Sequence, residues 1–146
     1  MTVFDEISRT CDKLKKVQDD IEYIQYLAST PRSCELSDMP KGGGNAGNPL
    51  EQYMIKREKL EYRCKMLTER LEMQWKRAIY QMNAAGLDEQ CQKMMYYRFR
   101  CNLPWKKCAA RLNEKYPNCK WNENKCFRKY REVLYRIRQV NRNNIA

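Results

Sequence analysis

The 146-residue chain has no histidine and only five glycines and five prolines. Without histidine it lacks the one side chain that titrates unaided near neutral pH, and a preferred zinc ligand with it. The acidic residues are interspersed along helical faces, so no acid/base pair or nucleophile–base set can be read and no catalytic residue is assigned. Eight cysteines are present, at positions 11, 34, 64, 91, 101, 108, 119 and 126, but none forms a C-x-x-C pair. That spacing argues against a zinc site, and no metal or other cofactor is expected. The opening residues lack the basic stretch and apolar run of a signal peptide. No segment approaches the roughly 18 apolar residues of a membrane span. These absences predict an intracellular, cytoplasmic chain whose thiols stay reduced and fill small apolar positions.

What is present is an uneven charge. The net charge is +11. Residues 1–48 carry 6 basic and 8 acidic side chains, residues 49–87 carry 8 and 5, and residues 88–146 carry 15 and 5. Solubility does not require such asymmetry. A concentrated basic region suits a polyanion, with nucleic acid ahead of an anionic membrane surface.

Periodicity predicts helices throughout. Over residues 3–29, Leu14, Val17, Ile21, Ile24 and Leu27 recur at three- and four-residue steps, and Pro31 ends the run. Residues 30–48 hold four of the five glycines and read as a loop; Gly42-Gly43-Gly44 lacks the Lys-Ser/Thr that closes a phosphate loop. Asn48-Pro49 opens a second long helix, whose series Leu50, Met54, Leu60, Cys64, Leu67, Leu71, Trp75, Ile79 and Met82 runs to Gly86. The two helices can cover each other's stripes as a hairpin or pair with a second copy, and the pattern leaves both open. The expected organisation is therefore a helical hairpin over residues 1–86 with a Gly-rich connection at 30–48, followed by a second domain over 87–146.

That second domain reads as three helical stretches broken at Asn102-Leu103-Pro104 and Pro117-Asn118. A short helix, a break and a longer basic helix is the order of helix-turn-helix DNA binders. On the last helix, Tyr130 and Ile137 mark the expected buried side, flanked by Phe127 and Leu134. Asn122, Asn124, Lys125 and Arg128 then become candidates for base contacts, because Arg and Lys match guanine acceptors and Asn matches adenine. Lys106, Lys107, Lys120, Lys129 and Arg131 are candidates for phosphate contacts. An amphipathic helix with a basic outer face that packs on a partner protein fits the same spacing.

Met94-Met95, Arg98-Phe99, the turn Asn102 to Pro104, Trp105-Lys106-Lys107-Cys108-Ala109 and the run Cys126 to Leu134 together resemble region 4 of bacterial sigma factors. They are more narrowly similar to phage-encoded RinA/ArpU-type transcriptional regulators. Ser37-Asp38-Met39-Pro40-Lys41-Gly42-Gly43 resembles a loop segment found in some phage regulators of this kind. The resemblance implies an all-α fold, a helix-turn-helix over 87–146, sequence-specific binding of double-stranded DNA, and a setting in the cytoplasm of a bacterial host. RNA polymerase and a homodimer through residues 1–86 are further partners to consider, with no membrane role. Two departures stand out: Pro104 occupies a position where the family has a capping residue, and residues 113–121 are longer than the family's tight turn. That insertion is expected to shift the last helix or to add contacts through Lys115, Lys120 and Trp121. The competing functions are a small terminase-like DNA-packaging subunit and a helical protein-interaction module.

Overall fold

The computed structural model describes residues 2–29 and 49–145. Every regular element among them is helical, so the fold is all-α as the periodicity predicts. The helices are α1 (Val3–Ser29), α2 (Pro49–Ala84), α3 (Glu89–Met95), α4 (Trp105–Lys115) and α5 (Glu123–Ile145). A π-helical stretch, Tyr96–Arg100, continues α3, and a 3-10 turn, Pro117–Cys119, precedes α5. The expected Gly-rich connection at 30–48 lies outside the described residues, and Cys34 with it.

Local chemistry sets the helix ends. Pro49 is the first residue of α2, where its missing N–H costs nothing. Gly86 closes the same helix at φ 69°, a left-handed conformation that glycine adopts without a Cβ clash. Asp88 caps α3, its carboxylate accepting from the Cys91 amide at 2.8 Å. Asn122 does the same for α5, accepting from the Lys125 amide at 2.8 Å. Pro104 sits at the N-cap of α4 and supplies no side-chain bond there.

The chain divides into two compact units, residues 1–11 with 70–146 and residues 12–69. The sequence reading set its boundary at 86/87 and kept both long helices on one side of it. The division falls elsewhere because the first turns of α1 and the last turns of α2 share a core with the shorter helices. In that larger unit, Phe4, Ile7, Met82, Met94, Met95, Cys108, Leu112, Cys126 and Val133 are fully buried. Burial of each large side chain contributes about 1.5–3 kcal/mol. Phe99 is the hub of an aromatic cluster, with ring centroids 5.1 Å from Phe4, 5.6 Å from Tyr130 and 6.3 Å from Trp105. Within this unit α1 and α2 run antiparallel: Arg77 donates to Glu6 at 3.3 Å, and Thr10 donates to Gln74 at 2.8 Å.

The π turn explains the Arg-aromatic pair noted in the sequence. Cys101 N donates to Tyr96 O at 3.0 Å, one residue wider than an α-helical bond, and Asn102 then turns left-handed at φ 55°. Arg98 bridges this widened corner, donating to Leu103 O at 3.0 Å while its guanidinium lies 5.1 Å from the centre of the Trp105 ring.

The smaller unit comprises residues 12–69. Of its described side chains only Val17 and Leu67 are buried, while Leu14, Ile21, Ile24, Leu60 and Cys64 are half-buried.

Candidate nucleic-acid interface

Helix α5 presents one face to the core of the larger unit and the other to solvent. The buried face is Cys126, Val133 and Ile137, with Tyr130 and Leu134 half-buried beside them. It is rotated toward the two smaller residues relative to the expected axis through Tyr130 and Ile137. Phe127, expected on the buried flank, is instead 45% exposed and touches Trp105 at 6.1 Å.

The four base-contact candidates separate into two pairs. Asn124 and Arg128 are exposed, one helical turn apart. With Phe127, Arg131 and Glu132 they line a shallow open cleft of about 430 Å³. Asn122 and Lys125 are committed within the protein. Asn122 uses its side-chain oxygen as the α5 cap, and the Lys125 ammonium donates to Cys119 O at 2.6 Å while lying 4.4 Å over the Trp121 ring. Trp121 precedes the helix, so no helical spacing in the sequence signalled that second role.

The phosphate-contact candidates also differ among themselves. Lys106 and Lys107 are exposed in the first turn of α4, and Lys120 is exposed beside α5. Arg131 is exposed, with its guanidinium 5.5 Å from the Phe127 ring centre. Lys129 is half-buried and paired with Glu132 at 3.4 Å, so its charge is partly spent.

The stretch 113–121, flagged as an insertion, is a pinned corner. The Asn113 side-chain amide donates to Trp121 O at 2.8 Å, and its carbonyl accepts from Trp121 N at 2.7 Å. One amide thus satisfies both backbone groups of a residue at the mouth of α5. Trp121 is 4% exposed and donates its indole N–H to Gln90 at 3.1 Å, so the expected ligand contact through Trp121 is corrected to a structural role. Glu89 accepts from the Tyr116 hydroxyl at 3.0 Å and pairs with Lys115 at 3.8 Å. The corner is therefore tied to α3 and fixes where α5 starts.

Electrostatics reinforce this frame. The Cys91 amide bonded to Asp88 holds that carboxyl below its usual value; the Lys129 and Arg136 cations add to the effect. Burial pushes the thiols of Cys91, Cys108 and Cys126 up to about 11 each. Thiols held protonated are poor nucleophiles and poor metal ligands. None of the seven cysteines among the described residues is in a disulfide. No group of His, Cys, Asp and Glu among those residues is arranged to hold a metal ion, and no helix among them is long and apolar enough to cross a membrane.

No family model matches the chain, and neither a curated protein nor a solved structure matches it.

Proposed function

We propose that this protein binds double-stranded DNA sequence-specifically and acts as a transcriptional regulator of the phage or integrated-element type. In this reading α4 and α5 form a helix-turn-helix of the sigma region 4 kind, set by the pinned corner between them. Asn124 and Arg128 face base edges, while Lys106, Lys107, Lys120 and Arg131 face phosphates. No catalytic step belongs to this reading. RNA polymerase contact and self-association through the N-terminal helices extend it, because a single small module offers limited interface for tight specificity.

One observation carries the proposal. Residues 12–69 hold ten basic and ten acidic side chains, whereas the larger unit holds nineteen and eight, so all of the net charge belongs to the unit that exposes Arg128. Cation-rich helices that pack on a protein partner do not need the charge so confined; a phosphate backbone rewards each added cation by releasing counterions.

Selection of bound sequences from a random duplex pool tests the reading, followed by a salt titration on the winner. A recovered consensus and a log–log salt slope of about −0.9 per neutralised phosphate are expected. Replacing Arg128 by Ala is expected to lose about 1–3 kcal/mol of discrimination at one base pair. A pool that emerges without enrichment, or an affinity insensitive to salt, overturns the proposal.

A further inference from the structure

Phe127 belongs to neither face of α5. At 100° per residue Asn124 and Val133 point about 180° apart, and Phe127 stands about 60° from Asn124. The core does not need the outer part of its ring. Trp105, against which it leans at 6.1 Å, already packs on Phe99 at 6.3 Å and Tyr130 at 5.2 Å. The Phe127 ring stays 45% exposed, and it is the one apolar residue lining the cleft that Asn124, Arg128, Arg131 and Glu132 complete. Glu132, the anion of that cleft, pairs with Lys129 at 3.4 Å, so the cleft keeps a positive balance. Trp105 props the ring from within and the Arg131 guanidinium lies 5.5 Å from its centre, so its orientation is set inside the protein. A lone exposed aromatic is ordinary on a protein surface; a propped one inside a cation-lined cleft is not.

A surface that meets phosphates gains from cations and hydrogen-bond donors, and a phenyl ring is neither. Base edges in the major groove present donors and acceptors, with one apolar group among them, the C5-methyl of thymine. We infer that Phe127 is a specificity-determining residue that rests on this methyl, beside the guanine read by Arg128. The inference rests on the DNA reading above and narrows what that face recognises. Adjacent Cα atoms lie about 3.8 Å apart, close to the roughly 3.4 Å rise of one base pair, so residues 127 and 128 address neighbouring steps. Their contacts are chemically separate. Arg128 recognises a pair of acceptor atoms, whereas Phe127 recognises a surface that has no polar atom. Cytosine, the other pyrimidine, lacks the methyl and leaves the ring facing water. Removing one methyl from water changes binding about fourfold.

The duplex selected from the random pool tests it, with each thymine in turn replaced by deoxyuridine, which removes the methyl and nothing else. One replacement is expected to weaken wild-type binding about fourfold. It falls at the pair next to the one whose discrimination is lost in Arg128→Ala. Phe127→Ala is expected to bind the thymine and deoxyuridine duplexes equally, with helicity unchanged and the preference for guanine kept. The replacement series in the wild-type chain needs no variant, so it decides the matter even where Phe127→Ala unfolds. A consensus without thymine beside that guanine, one in which no deoxyuridine matters, or a sensitivity that persists in folded Phe127→Ala overturns this inference and leaves the DNA reading standing. A pool without enrichment overturns both.

Discussion

The two units of this chain divide apolar burial and charge in opposite ways. The larger unit buries an aromatic cluster and nine large, fully enclosed side chains under a strongly cationic surface. The smaller one is electrically neutral and, among its described residues, buries only Val17 and Leu67. A dense core lets a unit hold many like charges, because packing offsets their mutual repulsion. A thin core with neutral flanks suits an element whose apolar surface is completed from outside.

Five substitutions and two pH series break or sharpen this comparison. The largest effect is expected from Phe4→Ala, which empties a site in the aromatic cluster and should cost about 3–5 kcal/mol in denaturant unfolding. A loss near zero would mean that the first turn of α1 is no part of the larger unit. Asn113→Ala leaves both backbone groups of Trp121 without their partner and is expected to cost about 1–3 kcal/mol, again by equilibrium unfolding. Asp88→Ala removes a cap worth about 1 kcal/mol. Because the Asp88 carboxyl is held below its usual value of 3.8, its contribution is complete above that value and is lost as pH falls through the lowered one. The gap between wild type and variant should therefore close in acid.

The partly or fully buried thiols of Cys91, Cys108 and Cys126 give the opposite pH dependence. Their values are raised from 9.0 to about 11, so the stability they contribute is complete below pH 9 and is lost as pH rises through about 11. Thermal melts across that window should decline, and thiol reagents at neutral pH should reach these three residues slowly. The smallest effects on folding are expected from two exposed lysines, and these separate the units by function. Lys16→Ala and Lys107→Ala should each change stability by less than about 0.5 kcal/mol. Only Lys107→Ala should weaken DNA binding and reduce the salt slope, by about 0.9.

Much of the fold was legible in the sequence because its punctuation is chemical. Pro49, Gly86, Asp88, Pro104 and Pro117 each impose a local geometry that tertiary context did not override, and the helices start and stop around them. Long-range packing was not legible. Phe4 and Ile7 precede the regular stripe of α1, and nothing local says that they pack with Phe99 and its neighbours. The face of α5 was misjudged by a small rotation, because bulky Tyr130 and Phe127 drew the expected axis away from Cys126 and Val133, which fit the tight core better. Of the nine DNA-contact candidates, Asn122, Lys125 and Lys129 have partners inside the protein. A residue count cannot separate a cation that holds a corner from one that waits for a ligand.

The ring contacts that link Phe4, Phe99 and Tyr130 have a consequence for biosynthesis. A ribosome releases Phe4 well before Tyr130, so the cationic unit cannot complete its interior until α5 has emerged. Until then the first turn of the chain waits with Phe4 and Ile7 bare. Assembly then requires Phe4 and Tyr130 to find one another across about 120 residues of intervening chain, a slow kind of search. Deleting the first turn of α1 should therefore harm the packing of α5, and deleting α5 that of the first turn.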